Sequence, residues 1–157
     1  MEDGFRVVSG GQTGVDRAAF DAALEHGIPI GGYCPKGRKA EDGFIHERYP
    51  LIELSSQNYK VRTEKNVVES DGTLILNKRR LSSGTLLTRD LAVRHGKPCI
   101  VVQFEQLNSN SQARVFNWIQ SNDIRVLNVA GPRESKCPGI YEAAKAFLTD
   151  LFQALHS

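Results

Sequence analysis

Three segments of this 157-residue chain gather small, hydroxylic and amide side chains where an apolar run gives way to a helix-like one. The first, "SGGQTG", supplies Ser9, Gly10, Gly11, Gln12, Thr13 and Gly14. The second, "SSGT", supplies Ser82, Ser83, Gly84 and Thr85, and Lys78, Arg79 and Arg80 stand just before it. The third, "GPRESKCPG", carries Gly131, Arg133, Ser135 and Lys136. Glycine permits positive φ and close approach of a guest, and the first N–H groups of a following helix carry partial positive charge. The chemistry such turns can do is to grasp an anion. Ser9, Gln12 and Thr13 add neutral groups suited to phosphate oxygens or a polar ring. Any one of the three reads equally well as turn geometry and helix capping. Three on one edge of a sheet favour a phosphate-bearing ligand, with the first turn as the main cradle and Ser83, Gly84 and Thr85 as a second.

Several familiar chemistries are excluded by what the turns lack. No Gly-Lys-Ser/Thr follows "GGQTG", so the turn is not a Walker-type loop. No acidic residue closes the second apolar run to take a ribose hydroxyl, as an NAD dehydrogenase would need. Gly-x-Ser-x-Gly is absent, which disfavours a hydrolase nucleophile elbow. His26, His46, His95 and His156 show no ligand spacing among themselves or with the cysteines, so no metal site is assigned.

The elements that must position these turns alternate. Apolar runs at 5–9, 28–33, 72–77, 99–104 and 124–130 read as short buried strands. Helical patterns at 15–26, 64–70, 85–95 and 112–121, and an amphipathic tail opened by Pro138, separate or follow them. In the first helix Thr13 is the expected N-cap and Asp16 complements the dipole, while Val15, Ala18, Ala19, Ala22 and Ala23 form a face small enough to lie close to a sheet. The tail presents Ile140, Ala144, Phe147, Leu151 and Leu155 on one stripe. Such a ladder implies an α/β fold: a doubly wound, mainly parallel, Rossmann-like sheet of about five or more strands with helices on both faces. Right-handed crossovers put all the strand-to-helix turns on one edge.

Size and composition fit one domain spanning residues 1–157. A net charge of +2 and 8% aromatic residues make a nucleic-acid-binding groove an unfavoured reading. No apolar stretch has membrane-spanning length, and the acidic start of "MEDGFRVV" is unlike a secretory signal, which points to the cytoplasm. Three widely spaced cysteines, Cys34, Cys99 and Cys137, suit free thiols in a reducing compartment, with Cys99 expected in the core.

Between the second strand and the second helix lies a long segment, "CPKGRKAEDGFIHERYPLIELSSQNYKVRT", rich in breakers and charge and without a helical period. It carries Lys36, Arg38, Lys39, Glu41, Asp42 and Arg48. A solvated surface excursion accounts for the charges taken alone. At its far end Arg62 and Thr63 stand at a helix start with Asn66 one turn in. Arg62 is equally able to meet a ligand or to pair with Asp71 or Glu64.

Taken in order, "SGGQTGVDRAAFDAA", "GGYCPKGRKAEDG", "YKVRTEKNVVESDGTLIL", "SSGTLLT" and "GKP" resemble the molybdenum-carrier proteins. These belong to a circularly permuted branch of the Rossmann-like superfamily that also holds the cytokinin-activating phosphoribohydrolases and DNA-processing protein A. The resemblance implies self-association and a pocket for a nucleotide-like or pterin-phosphate ligand, with molybdenum cofactor as the named cargo. On this reading Ser9, Gly10, Gly11, Gln12, Thr13 and Gly14 form the main anion cradle, with Ser83, Gly84 and Thr85 as a second. Lys36, Arg38 and Arg62 supply positive charge, and Asp16 orients the first helix or a ligand amine. The phosphoribohydrolase motif places a catalytic Glu three residues after the Thr matching Thr85, and here Thr88 stands there. A hydroxyl does not replace a carboxylate at a ribosyl carbon, so a carrier or store is expected. The rivals are a nucleotide hydrolase working through Asp16, Glu41 or Asp42, and a single-stranded DNA binder.

Overall fold

The computed structural model describes residues 4–156. Five strands form its main sheet: β1 (Arg6–Val8), β2 (Ile30–Gly31), β7 (Gly72–Asn77), β8 (Cys99–Gln103) and β9 (Val126–Ala130). Every pairing in it is parallel, and the order is β2-β1-β9-β7-β8. The last strand along the chain is therefore the central one. Counting from β9 turns the order into 3-2-1-4-5, the arrangement of a doubly wound sheet, with the direction of winding reversing between β9 and β7. Local periodicity identifies strands but says nothing about which lies in the middle.

The α-helices among the described residues are α1 (Val15–Glu25), α2 (Tyr59–Val68), α3 (Ser83–Arg94), α4 (Ser111–Ser121) and α5 (Ile140–His156). α5 packs on α1 and α4, and α2 packs on α3. Right-handed crossovers put these two groups on opposite faces. The three-helix face holds the larger core. There the small stripe of α1, wholly buried from Val15 to Ala23 on its inner side, meets Phe147, Leu148, Leu151 and Phe152 of α5. The two-helix face closes over a modest cluster of Val67, Leu91 and Ala92.

Four local expectations are corrected. Thr13 does not cap α1: Gly14 occupies the cap with φ 80° and no side-chain bond, while the Thr13 hydroxyl is engaged elsewhere. α2 begins at Tyr59, five residues before the expected 64, because the Asn58 side chain accepts the Lys60 N–H at 2.9 Å and caps it. α5 begins at Ile140, with Pro138 ahead of it rather than in its first turn. Cys99 is only half-buried because β8 is the sheet's edge, although all three thiols are free.

The long segment after β2 is more ordered than its sequence suggests. β3 (Tyr33–Cys34) pairs in parallel with β6 (Ile52–Glu53), and β4 (Lys39–Ala40) with β5 (Gly43–Phe44) makes an antiparallel hairpin. Ile45 and Tyr49 anchor this excursion in the main core, where Tyr49 stacks on Phe20. Among the described residues no helix is long and apolar enough to cross a membrane.

Candidate functional site

At the carboxyl edge of the sheet, where the winding reverses, lies a cleft of about 590 Å³. Its floor is the end of β9 from Asn128 to Ala130; Asn128 is fixed by its amide donating to the Thr73 hydroxyl at 3.1 Å. One wall is the start of α3, from Ser82 to Thr88. The opposite side combines Gly10, Gln12 and Asp16 with Tyr59, Arg62 and Asn66 of α2. Gly131, Arg133 and Lys136 of the turn after β9 complete it. Four lining cations, Lys60, Arg62, Arg133 and Lys136, face two lining carboxylates, Asp16 and Asp90, so the cleft favours an anion.

The three turns meet here, but their helix starts differ in what already occupies them. At α1 the Val15 N–H donates to the Pro132 carbonyl at 3.3 Å, and a Cβ on Gly14 would lie 2.4 Å from that same oxygen. Positive φ and this close approach both require glycine at position 14. The Thr13 hydroxyl donates to Glu41 and accepts from the Glu134 N–H at 3.1 Å, and Glu41 also accepts from the N–H and hydroxyl of Ser135. The first and third turns and the hairpin are thus laced together. Ser9 lies beneath, donating to the Val129 carbonyl at 2.6 Å, and Gly11 faces Ile45 and Leu51 rather than the cleft.

α5 is occupied by its own acid. The Glu134 carboxylate accepts the N–H groups of Gly139 at 2.7 Å and Tyr141 at 3.0 Å. At α3 the cap is the neutral Ser82 hydroxyl, 3.4 Å from the Thr85 N–H and 3.0 Å from the Thr85 hydroxyl. The next residues, Ser83 and Gly84, are exposed and line the cleft, and first-turn N–H groups have no intrahelical partner. Nothing lies within 4 Å of where a Gly84 Cβ would be.

Asp16 and Arg62 form the deepest charged pair. The Asp16 carboxylate accepts the Gln12 N–H at 3.1 Å and Arg62 Nη1 at 3.3 Å. Desolvation pushes the Asp16 carboxyl up, and Arg62 with the Gln12 N–H pulls partly back. The Arg62 guanidinium lies across Gly10, where any Cβ would fall 1.5 Å from Nη1. It also stands 5.4 Å from the Tyr59 ring centroid, with Arg133 at 5.9 Å, so one aromatic ring joins α2 to the third turn.

Of the residues singled out in the sequence, Gly10, Gln12, Asp16, Arg62, Ser83, Gly84 and Thr85 are brought together on the cleft. Ser9, Gly11, Thr13 and Gly14 support it from behind. Lys36 and Arg38 lie off its walls: Lys36 is exposed, and the Arg38 guanidinium donates to the carbonyls of Ile45, His46, Leu51 and Tyr49. Glu41 is bound as described, and Asp42 pairs with Arg17 at 3.0 Å. The lining adds Tyr59, Lys60 and Asn128, and Arg133 and Lys136 of the third turn also stand on it. The first two sit just beyond the Asn58 cap, the signal that would have found them.

A doubly wound sheet with a cationic cleft at its switch point defines a Rossmann-like ligand-binding architecture. Residues 7–152 match the circularly permutated YpsA SLOG family, and the chain belongs to it. The chain is 44% identical to a protein from Syntrophus aciditrophicus SB whose crystal structure is described as that of a putative molybdenum carrier protein. The match covers 94% of this chain and 93% of that one with a TM-score of 0.90. No curated protein matches.

Proposed function

We propose that the protein binds a phosphate-bearing heterocycle in this cleft and holds it as a carrier or store, with molybdenum cofactor or a related nucleotide as cargo. The observation that carries this reading is the exposed start of α3, capped only by the neutral Ser82 hydroxyl and sharing its cleft with Arg133 and Lys136. The phosphate sits on the first N–H groups of α3, and the ring extends toward the first turn. A relative described as a molybdenum carrier supports the choice of cargo. Thr88 supports holding over turnover, because its hydroxyl is spent on the Gly84 carbonyl at 3.0 Å and supplies no acid or base. The cytoplasm, and self-association of the chain, are parts of the same proposal; Val61, Leu86 and Val93 leave apolar surface exposed on the α2–α3 side.

Native mass spectrometry of gently purified protein tests it. A co-purified pterin phosphate or nucleotide that is lost in Arg133→Ala is expected. Absence of any adduct, together with no calorimetric binding of nucleoside monophosphates or inorganic phosphate, would remove the carrier reading. Chromatography separates the hydrolase rival: release of free base from a nucleoside monophosphate by the wild-type protein would replace carriage with catalysis.

A further inference from the structure

Two buried side-chain donors on the cleft have no hydrogen-bond partner: Gln12 Nε2 and Arg62 Nε. Such groups are rare in folded proteins, and each one costs stability unless something answers it. The orientation of the Gln12 amide is fixed by its neighbours. Its Oε1 accepts two backbone N–H groups, from Thr13 at 3.0 Å and Glu41 at 2.9 Å, so the free end is the NH₂ and not the oxygen. Arg62 Nε can only donate. Whatever answers these two groups must be an acceptor.

The charge balance says which part of a ligand that acceptor belongs to. Arg62 and Asp16 are paired, so this end of the cleft carries compensating charges. At the other end Arg133 and Lys136 stand by the start of α3, where the lining carboxylate, Asp90, lies on α3 with Arg89 at 3.9 Å, so positive charge is in excess there. A dianionic phosphate therefore belongs at the α3 end, and a neutral ring at the Gln12 end. We propose that Gln12 and Arg62 read the acceptor edge of that ring, selecting a heterocycle that presents an oxo group there over one that presents an exocyclic amine.

An amine at that edge would set N–H against N–H and leave all the donors unmet. An oxo oxygen has two lone pairs and accepts from the donors that the ring edge reaches. Both donors are buried, so a ring that meets them draws the guanidinium slightly away from Asp16. That pair is loose enough to allow it: 3.3 Å exceeds the about 2.7–2.9 Å usual for a charge-assisted N–H···O bond. The inference rests on the carrier reading only in requiring that a phosphate-bearing heterocycle occupies the cleft.

The test is calorimetric titration with inosine monophosphate, adenosine monophosphate and inorganic phosphate. The two nucleotides differ at the ring position that carries oxo in one and amine in the other. The wild-type protein should prefer the oxo nucleotide by roughly tenfold or more, the size expected when a buried donor is left unmet. Gln12→Glu retains the oxygen that holds Thr13 and Glu41 but turns the free donor into an acceptor, and should bring the preference to parity or invert it. Arg62→Lys keeps the charge facing Asp16, removes the Nε donor, and should reduce the preference even if Gln12→Glu fails to fold. Equal or tighter binding of the amine nucleotide by the wild type, or an oxo preference unchanged in both variants, overturns the inference while leaving the carrier reading intact. Failure of all three probes to bind overturns both.

Discussion

The starts of α1 and α3 lie on the same cleft and both follow segments of small and hydroxylic residues, yet one is closed and the other open. α1 ends against the Pro132 carbonyl, with Asp16 and Arg62 in its first layer and Glu41 strapping its turn to the next. α3 ends in exposed Ser83 and Gly84 behind a neutral serine cap. Gly14, at the cap of α1, admits the protein's own backbone, and Gly84, in the first turn of α3, leaves room for something else. A glycine-rich turn is thus evidence of close approach, and what approaches is decided by parts of the chain far away.

The most forceful way to break this contrast is to add a side chain at each helix start. Gly14→Val meets Pro132 at positive φ and should cost about 3 kcal/mol or more of unfolding free energy. Gly84→Ala meets nothing and, inside a helix, should stabilise by about 0.5–1 kcal/mol. Urea unfolding of both variants decides it; similar losses at the two positions would mean that α1 and α3 are not differently occupied.

A charge sharpens the same contrast without a clash. Ser83→Asp places a carboxylate in the first turn of α3, where it should raise stability by a few tenths of a kcal/mol through the helix dipole. It should also weaken nucleoside monophosphate or phosphate binding by about tenfold or more, by occupying the N–H groups and repelling the anion. Calorimetry and thermal melting together read the two effects. Unchanged affinity would move the phosphate away from α3.

The smallest effect concerns the strap. Desolvation pushes the Glu41 carboxyl up, but hydrogen bonds from Ser135 and Thr13 outweigh it and hold its pKa below the ordinary 4.5. A depressed carboxyl contributes stability that is present above the unfolded pKa and is lost as pH falls through the folded one. Hydrogen-exchange protection of the β4–β5 hairpin, corrected for intrinsic rates, should therefore decline only below about pH 4.5, and Glu41→Gln should lower it already at pH 7. Because Glu41 is exposed, the change should stay within about 1 kcal/mol. A hairpin equally protected in Glu41→Gln would show that the strap is incidental.

What the sequence makes legible follows from the range of the interactions involved. Apolar runs and the alanine stripe of α1 are local patterns, so the five strands and the first helix can be read directly. The pairing of Arg62 with Asp16 spans forty-six positions, and residues such as Asp71 and Glu64 are nearer in sequence. Thr13 looks like a cap because its competing partners, Glu41 and Glu134, are remote. Arg38 sits in a basic loop, and nothing local distinguishes a guanidinium that greets a ligand from one that clasps four carbonyls. The paired strands around it are two residues long, too short for any period.

The central position of β9 also governs how the protein can be made. A ribosome delivers β1, β2, β7 and β8 first, and neither β1 nor β7 has its inner neighbour until β9 emerges. Up to that moment the nascent chain is two half-sheets with open apolar seams, β2-β1 and β7-β8, the kind of exposed edge that chaperones guard during synthesis. The sheet therefore cannot be completed before β9 is available, and a chain that stops short of β9 lacks the floor of the cleft.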